Sequence, residues 1–91
     1  MLYLISYDIE NNKKRQKIAE LLKGYGERVQ YSVFECHLTK NELEKIKSYI
    51  LKEVQLEKKD SVRIYLICDA CSKKVISIGK PREAKRSYFV I

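Results

Sequence analysis

The run Leu2-Tyr-Leu-Ile-Ser-Tyr-Asp8-Ile9 constrains the fold more than any other part of the chain, because it is apolar on both sides of a pleat. Successive side chains of a strand point to opposite faces, so Tyr3, Ile5 and Tyr7 share one face and Leu2, Leu4, Ser6 and Asp8 the other. A strand of this kind must be covered on both faces, which places it at the centre of a sheet. It ends on an acid, Asp8, with the basic stretch Lys13-Lys14-Arg15 just beyond.

The remaining elements follow from periodicity and punctuation. Asn11 and Asn12 are placed to cap a helix in which Ile18, Leu21, Leu22 and Tyr25 recur on one face, and Gly24 and Gly26 stop it. Arg28 to Leu38 reads as a second long strand, with Val29, Tyr31, Val33 and Glu35 alternating with Gln30, Ser32, Phe34 and Cys36. Thr39-Lys-Asn-Glu42 is a capping box flanked by the staple pair Leu38 and Leu43, and it predicts a second helix from about Lys40 to Val54. Gln55 to Asp60 is a loop, Ser61 to Cys68 a strand, and Lys73 to Ile78 a short further strand. Gly79-Lys-Pro81 breaks that strand before a charged stretch and a last apolar piece, Ser87 to Ile91.

With 91 residues the chain has material for one compact domain and one small core. Hydrophobic residues make up 45% and charged residues 34%, a composition that excludes disordered and fibrous classes. No apolar run reaches membrane-spanning length and nothing resembles a signal peptide, so the expected compartment is the cytoplasm, with no membrane partner. A net charge of +7 favours a polyanionic partner such as nucleic acid. The three cysteines argue against a disulfide framework. Cys68-Asp-Ala-Cys71 has metal-ligand spacing that Cys36-His37 would complete, against the plainer reading of ordinary buried thiols.

This element order predicts an α+β fold, a ferredoxin-like βαββαβ sandwich with an extra C-terminal strand and both helices on one sheet face. The other face is then open and apolar, which predicts a homodimer. Residues 79–91 would add to the edge of the partner subunit's sheet.

Three segments together carry a family resemblance: Leu4-Ile-Ser-Tyr7-Asp8-Ile9, then Arg15 with Ile18-Ala-Glu-Leu-Leu-Lys-Gly-Tyr-Gly26, then Arg28-Val-Gln-Tyr-Ser-Val-Phe34-Glu-Cys36. At this spacing the chain resembles the Cas2 family, the small CRISPR-associated adaptation proteins. The resemblance implies a homodimer with divalent-metal-dependent endonuclease activity on single-stranded RNA or double-stranded DNA, and assembly with the CRISPR integrase partner during spacer acquisition. The alternative is a non-catalytic structural adaptor that bridges integrase subunits and holds the DNA duplex.

Asp8 is the expected metal ligand and catalytic residue, for Mg²⁺ or another hard divalent cation. A hydrolytic site of this type wants two or more carboxylates, and the resemblance supplies the second as Asp8 of the other subunit across a two-fold axis. The competing reading is that Asp8 tethers its own loop to Asn11. Glu10 stays open as a further ligand or as a charge favoured by the helix dipole. Tyr7 either positions substrate or packs in the core or the dimer interface. Arg15 and Arg28 either act as catalytic residues that meet phosphates or the transition state, or carry solvated surface charge. Lys13, Lys14, Arg82, Lys85 and Arg86 extend the candidate nucleic-acid surface, and Phe34 and Ser32 are expected at the interface, with Ser32 near the metal.

Overall fold

The computed structural model of the chain describes residues 1–79. β1 (Leu2–Asp8) lies second from one edge of a four-stranded sheet and pairs on both sides, as its two apolar faces require. It is followed by α1 (Asn12–Lys23), β2 (Gly26–Gln30), β3 (Val33–His37), α2 (Lys40–Tyr49) with a π-helical turn over Ile50–Val54, β4 (Ser61–Ile67) and the short α3 (Asp69–Ser72). The strand order is β2-β3-β1-β4 with every neighbouring pair antiparallel. This is the split βαβ arrangement expected from the sequence.

One side of the sheet is closed by the helices. Tyr3, Ile5 and Tyr7 of β1 and Phe34 and Cys36 of β3 form one buried cluster with Ile18, Ala19 and Leu22 of α1, Ile46 of α2, and Ile50 and Val54 of the π-helical turn. The register puts Ile5 opposite both Phe34 and Ile64, so β3, β1 and the edge strand β4 give their apolar residues to this side together. Both helix starts are fixed locally. The Asn11 side chain accepts the Lys14 amide, and Thr39 and Glu42 form the complete reciprocal capping box. The second helix ends at Gln55, whose φ of 55° is left-handed and turns the chain away toward β4.

Two expectations are corrected. Arg28 to Leu38 is a hairpin rather than one strand: β2 and β3 are joined at Tyr31 and Ser32, with a register irregularity between Arg28 and Gln30. The seven-residue β1 offers no partner for an eleven-residue strand. The reversal is anchored by the Tyr7 N–H, which donates to the Ser32 carbonyl at 3.0 Å. Lys73 to Ile78 forms no strand of the sheet. Cys68 instead leads into α3, where the Ser72 hydroxyl donates to the Asp69 carbonyl at 2.8 Å. The hairpin therefore supplies the strand that Lys73–Ile78 was expected to add.

The opposite sheet face carries no helix. It presents Leu4, Val33, Tyr65 and Ile67, but also Ser6, Glu27, Glu35, Arg63 and His37, so it is mixed in character and less apolar than the alternation suggested. Gly26 owes its identity to close approach: a Cβ there would stand 2.1 Å from the Glu35 carbonyl oxygen and 2.7 Å from Cys36 Sγ. The proposed extra C-terminal strand lies outside the described residues.

Candidate functional site

Asp8 closes β1 on the open face, opposite Ser61 of β4, and is exposed. Among the described residues no cation or hydrogen-bond donor meets its carboxylate. Its loop is held by other groups. Arg15 Nη1 donates to the carbonyls of Ile9 and Glu10, each at 2.9 Å, and its Nη2 to Asn12 Oδ1 at 2.7 Å. Asp60 Oδ1 accepts the Glu10 amide at 3.4 Å and its Oδ2 accepts the Glu57 amide at 2.9 Å. Asn11 is occupied in capping α1. The loop thus has its own fastenings, and the reading of Asp8 as its tether gains no support.

As a metal ligand, Asp8 offers one protomer a single acid. No cluster of three or more His, Cys, Asp or Glu able to hold a metal exists among the described residues. Asp60 is committed to its loop, and the Glu10 side chain is exposed nearby without a partner there. The donor chemistry suits a hard divalent ion, but among the described residues of one copy the acids are too few to hold it.

Tyr7, next in sequence to Asp8, points the other way. It is 4% exposed, and its ring stacks on Phe34 with centroids 6.4 Å apart and planes 25° from parallel. From β2, directly across from Phe34 and on the same face, the Arg28 guanidinium sits 5.3 Å from the centre of that ring. Tyr7, Arg15 and Arg28 do converge, on a cleft of about 500 Å³ between α1 and the hairpin, lined also by Asn12, Gln16, Glu20, Lys23 and Tyr31. Lys23 is paired with Glu20 at 3.2 Å, which leaves the two guanidinium groups as the main positive charge of the cleft. The expected site residues therefore divide between two places: Asp8 on the open face, and Tyr7, Arg15 and Arg28 on the helix side.

Phe34 corrects an expectation. It is 0% exposed on the helix side of the sheet, so its side chain has no surface to present to a second subunit. Ser32, half-buried in the hairpin turn, meets β1 through its carbonyl. Lys14 is drawn to the end of the second helix, where its Nζ donates to the Gln55 carbonyl at 2.6 Å and lies 3.7 Å from Glu57. Lys13 is exposed beside Lys17 on the outer side of α1. Arg82, Lys85 and Arg86 lie outside the described residues.

Sequence reasoning missed Tyr31 and Asp60. Tyr31 is 73% exposed at the hairpin tip, and the strand reading hid it as one more alternating residue. Asp60 looked like loop composition, and no local signal pairs it with Glu10 fifty positions away. The imagined zinc set does not assemble: Cys36 is buried in the core while Cys68 and Cys71 are exposed.

Comparison with known proteins places these features in a family context. The family model described as CRISPR associated protein Cas2 matches residues 1–75. The chain is 40% identical over 93 aligned residues, all of both chains, to a protein of Chloroflexus aurantiacus named CRISPR-associated endoribonuclease Cas2 1. It resembles the crystal structure of Streptococcus pyogenes Cas2 with a TM-score of 0.74 and 37% identity, covering 87% of this chain and 100% of that one. It also resembles a chain of a partial Cas6-RT-Cas1–Cas2 complex with a TM-score of 0.62 and 35% identity, covering 81% of this chain and 86% of that one.

Proposed function

The chain belongs to the CRISPR-associated Cas2 family, and we propose that it acts as a metal-dependent endonuclease whose site is built by two copies of the chain. The observation that carries this reading is the Asp8 carboxylate: exposed at the end of a buried central strand, and without a role in holding its loop. Folding gains nothing from an acid in that position, and phosphodiester hydrolysis does. Two such carboxylates brought face to face repel each other and favour a shared Mg²⁺ or similar cation. That cation would supply polarisation of a phosphate oxygen and activation of a water.

The chain's own residues do the rest. Arg15 fixes the carbonyls of Ile9 and Glu10, so the backbone that follows Asp8 is held before substrate arrives. The second copy docks on the helix-free face, where Leu4, Val33, Tyr65 and Ile67 form the apolar part and Arg63 and Glu35 the polar part. Arg28, with Lys13 at the outer side of α1, provides phosphate contacts that position a strand without reading its sequence. The relatives named above favour RNA as one substrate, and duplex DNA is the other.

A second reading is favoured by the likeness to a chain of the Cas1–Cas2-containing complex. In it the dimer bridges subunits of the CRISPR integrase partner during spacer acquisition, and its basic surface holds the duplex. One experiment tests the catalytic reading: cleavage of single-stranded RNA and of duplex DNA, with and without Mg²⁺, by the wild type and by Asp8→Ala. A loss of metal-dependent cleavage of at least about a hundredfold with the dimer intact is expected. Undiminished cleavage by the pure variant overturns it and leaves the adaptor.

A further inference from the structure

Cys68 and Cys71 take no part in the site described above, and their surroundings differ from those of the third cysteine. Cys36 is fully buried, and burial, with a smaller push from Glu35, raises its thiol pKa from the ordinary 9.0 to about 11. It is inert at neutral pH. Cys68 and Cys71 are both exposed and lie three residues apart, Cys68 in extended conformation just before the single turn of α3 and Cys71 within it. That turn is closed by the Ser72 amide donating to the Cys68 carbonyl at 2.8 Å and by the Ser72 hydroxyl donating to the Asp69 carbonyl. Cys68 is the N-cap of α3 and Cys71 its third residue, the position toward which an N-cap side chain turns. Among the described residues no further His, Cys, Asp or Glu joins them in a metal-holding group.

We propose that Cys68 and Cys71 form a reversible dithiol–disulfide couple, in which Cys68 is the attacking thiol and Cys71 the resolving one. The oxidant is a small disulfide of the glutathione class. The Cys68 thiolate attacks one sulfur of that disulfide, forming a mixed disulfide and expelling one thiolate. The Cys71 thiolate then attacks Cys68 Sγ, closing the internal bond and expelling the second thiolate. The two cysteine protons end on the two released thiols, so one disulfide is consumed and one is formed.

The assignment of roles follows from the surroundings of each thiol. The amide N–H and then the thiol of Cys71 lower the pKa of Cys68, although no amide caps it with full hydrogen-bond geometry. Cys71 has its pKa raised, by the neighbouring Cys68 thiol first. An exposed disulfide is readily reduced again. The couple sits where β4 ends and the chain passes on toward Lys73, so its state sets the geometry of that junction.

The test uses the full chain in buffers of reduced and oxidised glutathione, quenched by alkylation and read by mass spectrometry. Cys68 and Cys71 should become resistant to alkylation together, with the loss of two hydrogens, no bound glutathione, and full recovery in dithiothreitol. In the reduced protein Cys68 should be alkylated at least about tenfold faster than Cys71 at neutral pH. Cys71→Ser should trap glutathione on Cys68, with a melting temperature matching that of the wild type to show the fold intact. Persistent glutathione on wild-type Cys68, a disulfide between chains, equal alkylation rates, or no reaction would each overturn the proposal.

Discussion

Tyr7 and Asp8 are covalent neighbours on β1, yet they belong to opposite faces of the sheet. On the helix side, Tyr7, Phe34 and Arg28 form a continuous stack, and β1 and β3 give their apolar residues to the core. On the open side, Asp8 stands exposed at the end of a row that contains Leu4 and Ser6. Residues on the closed face are explained by what they touch within one copy. On the open face, the Asp8 carboxylate meets no partner among the described residues. A single strand thereby separates the stability of the domain from the activity proposed for it.

Substitutions sharpen that contrast, beginning with the closed face. Phe34→Ala removes the ring on which both Tyr7 and Arg28 pack and leaves a cavity. A loss of about 3–5 kcal/mol in denaturant unfolding is expected, enough to unfold much of the population. Gly26→Ala forces a methyl against the Glu35 carbonyl, so β2 must move away from β3; a loss of about 2 kcal/mol is expected in the same assay. Arg15→Ala opens three hydrogen bonds of a partly exposed clamp. About 1 kcal/mol of stability should go, together with cleavage activity, because the backbone after Asp8 is no longer held.

The pH dependence has a definite sign. Burial, with Glu35 second, raises the folded-state pKa of Cys36 above its ordinary 9.0 to about 11, so the native state keeps a proton that the unfolded chain gives up. Stability from this source is full below pH 9.0 and is lost as the pH rises through about 11. Thermal melts over that alkaline range should fall less steeply for Cys36→Ala than for the wild type. At the small end, Asp8→Ala should change stability by no more than about 0.5 kcal/mol, since the exposed carboxylate holds nothing among the described residues. A large destabilisation would erase the contrast between the faces.

The sequence made some of this legible and hid the rest for physical reasons. The central position of β1, both helix starts and the capping box at Thr39 are local signals, carried by residues within a few positions of one another. The hairpin was hidden because Gln30 to Val33 has neither Gly nor Pro, and its turn is secured by an amide of β1 twenty-five positions earlier. Phe34 was misassigned for the same reason: the side of the sheet it faces depends on the register that the turn sets. The pairing of Asp60 with the Glu10 amide and the joining of Arg28 to the Tyr7–Phe34 stack exist only after the sheet has formed. The acid itself was conspicuous in the sequence. Its isolation among the described residues is what the structure adds.

Sharing of the site between two copies can be measured by mixing. Wild type and Asp8→Ala chains, differently tagged, are unfolded together in equal amounts, refolded, and assayed for Mg²⁺-dependent RNA cleavage. If both carboxylates are needed, only dimers with two wild-type chains are active, and activity falls to about a quarter of that of the wild type alone at the same total concentration. A fall to about half would mean that each copy works by itself, and would contradict a site built by two.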